Sequence, residues 1–266
     1  MKKIILTFAC ATLISFGALA QEDDDEDLEI QEKSSGIAFD GGFDMTSAYL
    51  WRGNLLLKGA NFQPYIDFYA GNFTLGLWNC TDFNGNMKEF DIFASYTIAD
   101  QLTFTVTDYF TQEDTNVPNV PKYGKYKADE TAHTFEFSVD WESNFGLDAS
   151  MNVLFYGADK KYWLELEDPD EAEKNAYGTY FELGYNLEDI ISNVNIRPCV
   201  GMVFNPSTWY GDGTGTHDGF NVVNIGLQVS KDIPITDKFK LPVYATFGYN
   251  PQLDDVAAFA GFQLGF

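Results

Sequence analysis

Val256-Ala257-Ala258-Phe259-Ala260-Gly261-Phe262-Gln263-Leu264-Gly265-Phe266 closes the chain. Val256, Ala258, Ala260, Phe262, Leu264 and Phe266 fall on one side, and apart from Phe259 the other side carries smaller or polar residues. Successive side chains of a β-strand alternate between faces, so a two-residue period predicts a strand with one apolar face. The apolar face ends on an aromatic residue, and the question is whether the rest of the chain repeats the pattern.

The first 35 residues read differently. Met1-Lys2-Lys3 is a basic start, Ile4 to Ala20 is almost wholly apolar or small, and Ala18-Leu19-Ala20 predicts cleavage of a signal peptide (residues 1–20) before Gln21. The apolar run is short for a membrane helix of ~20 residues, and Thr7-Phe8-Ala9 is a poor approach to a lipidated Cys10. Residues 21–35 form an acidic leader, with eight acids and one lysine in positions 21–34; such a run repels itself and stays solvated. Loss of Lys2 and Lys3 with the signal peptide takes the formal charge from −24 to −26, which argues against nucleic acid as a partner. No later stretch approaches ~18 consecutive apolar residues, so a membrane-embedded mature chain would cross as strands. Only Cys80 and Cys199 remain after maturation, too few for a disulfide framework.

From Gly36 to Phe266, alternating segments recur as twelve predicted strands: 36–52, 61–70, 72–80, 88–98, 101–111, 132–141, 145–156, 176–187, 193–204, 219–230, 238–249 and 255–266. Their connections alternate in length. Gly71, Ala99-Asp100, Glu142-Ser143-Asn144 and 188–192 are short, and 231–237 is slightly longer; 81–87, 112–131, 157–175 and 205–218 are long. Outer-membrane barrels join their strands by short periplasmic turns and longer external loops. The expected fold is therefore all-β: a transmembrane antiparallel up-and-down β-barrel of about twelve strands in a bacterial outer membrane. The short connection 250–254 fits an external loop less well.

The two faces support this. Phe62, Ile66, Phe68, Leu75, Leu77, Phe137, Met151, Phe155, Leu183, Val223, Ile225, Leu227 and Phe247 are among the outward candidates. Gln63, Asp67, Glu89, Asp91, Glu136, Ser138, Asp148, Asn152, Glu182, Arg197 and Thr246 are among the inward ones. Asp108 breaks the pattern and predicts a bulge or a position near the external interface. Aromatics make up 17% of the chain. Tyr49, Trp51, Phe110, Tyr177, Phe204, Phe220 and Tyr249 are expected at the external rim, and Trp141, Phe145, Tyr185, Phe239 and Phe266 at the periplasmic rim, since amphipathic rings prefer headgroup depth.

Phe43-Asp44-Met45-Thr46-Ser47-Ala48-Tyr49-Leu50-Trp51-Arg52-Gly53 resembles the opening strand of the TorF-type porin family, and Tyr69-Ala70-Gly71-Asn72-Phe73-Thr74-Leu75-Gly76-Leu77-Trp78-Asn79 is similar to the pair that follows it. The likeness is clearest over residues 40–110. It implies an outer-membrane barrel with a channel role, and it supplies neither a substrate nor catalytic residues.

The candidate pore-lining residues are Arg52, Arg197, Asp44, Asp67, Asp91, Glu136, Asp148, Glu182, Tyr65, Trp78 and Tyr180. Arg52 is expected at the external rim and Arg197 deeper, nearly opposite Glu182, where the two form either a charged constriction or a structural ion pair. Inward acids outnumber the two arginines, so an open lumen should favour cationic or neutral solutes. Inward aromatics, among them Tyr65, Tyr156, Tyr180 and Tyr244, either line a solute track or fill a narrow barrel.

No cofactor or metal is expected. The run Glu165–Glu171 reads as solvated charge rather than an ion site, 211–219 as a mobile external loop, and His133 as a surface residue at a strand end with no serine partner for hydrolysis. The expected partners are outer-membrane lipid and lipopolysaccharide, the barrel-assembly machinery acting on the strand that ends at Phe266, and small polar solutes. Competing expectations are a closed barrel acting in adhesion or structure through its loops, a barrel lipid hydrolase, and a secreted soluble β-sandwich.

Overall fold

In the computed structural model, which describes residues 36–85, 87–113, 121–161, 166–206, 209–210 and 219–265, twelve strands close into one antiparallel barrel. The signal peptide, the acidic leader and Phe266 lie outside the described residues. The strands are β1 (Ile37–Thr46), β2 (Tyr49–Trp51), β3 (Asn54–Leu57), β4 (Asn61–Ala70), β5 (Phe73–Asp82), β6 (Met87–Ile98) and β7 (Leu102–Glu113). They continue with β8 (His133–Glu142), β9 (Leu147–Gly157), β10 (Thr179–Tyr185), β11 (Val194–Val203), β12 (Asn221–Pro234), β13 (Lys240–Asn250) and β14 (Asp255–Gly265). Each wall strand pairs with its neighbour in sequence, β2 and β3 excepted, and β1 closes the barrel against β14.

The wall is apolar outside and polar inside. Leu75, Phe137, Met151, Leu183, Leu227 and Phe247 are exposed on its outer face, whereas Asp67, Glu89, Asp91, Glu136, Asp148, Asn152 and Glu182 are each less than 5% exposed within it. A soluble sandwich buries its apolar faces between two sheets. This chain does the reverse, and so broad an apolar exterior needs a lipid solvent. The closing strand follows its expected parity: Ala257 and Gln263 face in, and Val256 is 71% exposed. Exposed rings gather near the strand ends, with Trp141, Phe145, Tyr185 and Phe239 at the end of the short turns and Tyr177, Phe204 and Phe220 at the other.

The largest correction concerns the first predicted strand, 36–52. β1 stops at Thr46, and the chain then turns inward as a separate hairpin, β2 paired with β3. β1 nevertheless pairs directly with β4, from Ile37↔Ala70 to Thr46↔Asn61, so the hairpin is an insertion between two adjacent wall strands. Tyr49 and Trp51 are therefore buried inside rather than placed at the external rim.

Two bulges correct the parity elsewhere. The β11–β12 register shifts between Gly201 and Met202 and leaves Val223 unpaired. Val223 is fully buried in the interior instead of facing outward. A second shift, between Phe135 and Glu136, sets Phe155 out of register. It places Tyr156 opposite Phe135 on the outer face, where its hydroxyl donates to the Tyr126 carbonyl at 2.8 Å. Both shifts follow the general effect of a bulge, one extra residue that re-aims every side chain beyond it.

Candidate functional site

The site is the lumen, and the β2–β3 hairpin crosses it. Trp51 pairs with Asn54, so Arg52-Gly53 forms a two-residue turn with both residues at positive φ (47° and 85°), the backbone of the turns that suit hairpins. Glycine is required at the second position for a further reason: a Cβ there would lie 2.0 Å from the Val223 carbonyl oxygen on the wall. The rest of the hairpin touches the wall on several sides. Tyr49 packs on Trp78 of β5 at 5.6 Å, Trp51 on Tyr109 of β7 at 6.3 Å, and Asn250 of β13 donates to Asn54 at 3.0 Å. The barrel is occluded at this level.

Arg52 sits at the tip of the hairpin, 1% exposed, and not at the rim. Its two terminal nitrogens grip Glu136 of β8 in a fork, at 2.5 and 2.9 Å. The same nitrogens also donate to the Tyr210 hydroxyl at 2.6 Å and to Asn152 Oδ1 at 2.8 Å. Trp51, Tyr210 and Tyr180 form a stack beside it, with centroid separations of 5.3 and 5.2 Å. The guanidinium lies 4.6 Å from the Trp51 ring centroid and 5.0 Å from that of Tyr180. Bidentate carboxylate bonding and flat aromatic faces are the two interactions for which a guanidinium is best shaped. Tyr210 belongs to the connection 205–218, so the described part of that loop folds into the lumen with Trp209; residues 211–218 lie outside the described residues.

Below this layer, Arg197 of β11 is bound by two carboxylates. It donates to Asp148 at 2.5 and 3.1 Å and to Glu182 at 2.9 Å. Glu182 was the expected partner. Asp148 was in view as a lumen acid, but it lies on β9, one strand beyond β10; Gly184 of β10 leaves the room between them, since a Cβ there would lie 2.4 Å from Arg197 Nη2 and 2.6 Å from Asp148 Oδ1. Tyr180 links the layers: its hydroxyl donates to Glu182 at 2.5 Å while its ring flanks Arg52. Arg52, Glu136, Tyr180, Glu182, Arg197 and Asp148 thus form one continuous polar network.

The other candidates stand apart. Asp44 accepts bonds from Tyr244 at 2.9 Å and Gln263 at 3.4 Å. Asp67 lies beside Tyr69, and the Tyr65 hydroxyl rests over Gly42, where no side chain stands in its way. Asp91 lies between Trp78 and Tyr109 on the neighbouring strands. The wall therefore carries many more carboxylates than the two arginines neutralise.

On the outer face, His133 is buried rather than exposed. Tyr126 stacks on it at 4.1 Å, and its ring nitrogens bond Asp108 Oδ1 at 2.7 Å and the Tyr123 carbonyl at 2.6 Å. Both ring nitrogens are engaged by these partners, so neither is free to act as a base. Asp108 is thereby accounted for without a bulge in β7: it lies near the loop end and pairs with this imidazole. Ser138 faces the opposite side and donates to Glu136 at 3.0 Å.

The closed barrel, its apolar wall and its charged interior define the class: a transmembrane β-barrel of the outer-membrane type. No protein-family model matches the chain, and no curated protein does. Among solved structures it is similar to the NanC porin (9% identity, TM-score 0.43, covering 86% of this chain and 98% of that one). It is also similar to the KdgM porin (8%, 0.41, 85% and 95%) and to OccK11 of Pseudomonas aeruginosa (9%, 0.37, 88% and 67%). With TM-scores below 0.5, these likenesses carry no argument about what this chain does.

Proposed function

We propose that this protein is a narrow passive channel of the bacterial outer membrane, admitting small polar neutral or cationic solutes, with the β2–β3 hairpin as its gate. The observation that carries the reading is the hairpin itself. It fills an acid-lined lumen while the wall behind it is already complete, because β1 and β4 pair without it. A part that closes the lumen and is not needed to close the barrel is what a gate requires. The surplus of inward carboxylates favours cations. Placing the short turns and the acidic leader in the periplasm leaves the hairpin entering from outside, and the TorF-type resemblance of residues 43–53 and 69–79 fits this reading. The outer wall would meet lipid, the external loops lipopolysaccharide, and the strand ending at Phe266 the assembly machinery.

The same occlusion favours one competitor, a permanently closed barrel that works through its external loops. Planar-bilayer recording separates the two. A variant with residues 48–59 replaced by a short glycine-serine link should give discrete, cation-selective conductance steps where the parent protein is mostly silent. A folded, inserted variant with no steps above baseline would establish the closed barrel.

A further inference from the structure

We propose that the wall around Arg52 is a binding site for solutes that carry a guanidinium group, and that Arg52 is its tethered occupant. The inference rests on the channel reading and names the solute class that the gate answers to. Three observations carry it. The first is how the acceptors are held. Tyr109 and Ser138 both donate to Glu136 Oε1 at 3.0 Å, Asn152 donates to Ser150 at 3.3 Å and so turns its own Oδ1 to the lumen, and Tyr180 is fixed through Glu182. None of these groups belongs to the hairpin, so withdrawal of Arg52 leaves a carboxylate fork, an amide oxygen and an aromatic face aimed at one vacated spot. The second is shape. The fork takes both terminal nitrogens of a planar cation, whereas an ammonium presents a single point charge. The third is that Arg52 occupies this spot from a left-handed backbone position, an unfavourable one for a residue with a side chain. The two-residue turn demands this backbone but is better served by Asn or Asp at its first position, so it is the side-chain contacts, not the turn, that call for arginine there.

A free solute with the same head group would compete with Arg52, release the hairpin and occupy the site. The probes are methylguanidinium and agmatine, with methylammonium and putrescine as matched cations lacking the planar fork. In detergent, Arg52→Ala should gain heat stability with millimolar methylguanidinium and respond about tenfold more weakly to methylammonium. The Arg52→Ala, Glu136→Gln double variant should lose the response. Equal responses to the two cations, or no response, would overturn the proposal. If Arg52→Ala does not fold, the parent protein still decides: agmatine should displace Trp51 from its stack and change the tryptophan emission, and putrescine should not. No difference between agmatine and putrescine would count against the site. Binding without conductance in any variant would reject the channel and keep the site; conductance without guanidinium preference would do the reverse.

Discussion

Replacing Arg52 by alanine should open the lumen. The substitution removes the two bonds to Glu136 together with those to Asn152 and Tyr210, and it leaves a buried carboxylate without its cation. Breaking one side of such a pair costs about 3–5 kcal/mol, and loss of the Tyr180 face on the wall adds roughly 0.5–1 kcal/mol. The docked hairpin keeps the Tyr49–Trp78 packing and the Asn54–Asn250 bond, so docking weakens without vanishing. At ~1.4 kcal/mol per tenfold, a loss of about 3.5–6 kcal/mol should raise the open-to-docked ratio by about three to four orders of magnitude. Planar-bilayer recording reads this directly as the fraction of time spent conducting. Tyr210→Phe, which removes one bond to the guanidinium, should shift the ratio by roughly tenfold. An Arg52→Ala barrel that stays folded, shown by its heat-dependent gel mobility, yet conducts no more than the parent would refute the reasoning that Arg52 holds the gate.

Other consequences follow from the same contacts. Arg197→Ala leaves Asp148 and Glu182 facing each other without a cation; it should lower stability against urea by about 3–5 kcal/mol, and a loss below 1 kcal/mol would show the pairing to be incidental. Leu227→Arg, midway along β12 on the apolar face, should cost about 2–4 kcal/mol in lipid, measured by folding into liposomes; a neutral effect would mean the face is not lipid-embedded. His133→Phe strips Asp108 and the Tyr123 carbonyl of their imidazole partner, so the connection 121–131 should become more sensitive to protease while the barrel stays heat-resistant; unchanged cleavage would count against the clasp. In the connection after β9, burial pushes Asp159 up to about 6 from an ordinary value of 3.8. Between those pH values the folded loop binds more protons than the unfolded chain, so its stability should fall as pH rises through the window and level off above it. Asp159→Asn keeps an acceptor for the Gly178 N–H and should flatten that dependence in hydrogen exchange; a persisting slope would assign it to another group.

The barrel was legible because its physics repeats. Each crossing must put apolar side chains on lipid and polar ones inside, and each turn must return the chain, so alternation and connection length carry the topology without knowledge of any contact. The inserted hairpin was hidden by that same rule. Tyr49-Leu50-Trp51 continues the alternation of β1, and sequence alone does not tell a wall strand from one that has left the wall. Two signals were present: 36–52 is long against the 9–11 residues of a membrane strand, and Arg52-Gly53 lies between two apolar runs, a hairpin pattern lacking only the usual Asn or Asp before its glycine. Val223 and Tyr156 were misplaced because a bulge leaves no mark in local composition. The pairing of Arg197 with Asp148 depends on the missing side chain of Gly184 on the strand between them, which alternation alone does not align with either partner.

Direct pairing of Thr46 with Asn61 at the foot of the insertion, where the Thr46 hydroxyl donates to Asn61 at 2.8 Å, keeps the inserted ligand on a short leash. A leash of that kind sets a local concentration in the millimolar range, against which any diffusing rival must compete before docking contacts are even considered. On the proposed reading such a valve would ignore traces and answer to abundance, staying shut in dilute surroundings and yielding only where its solute accumulates.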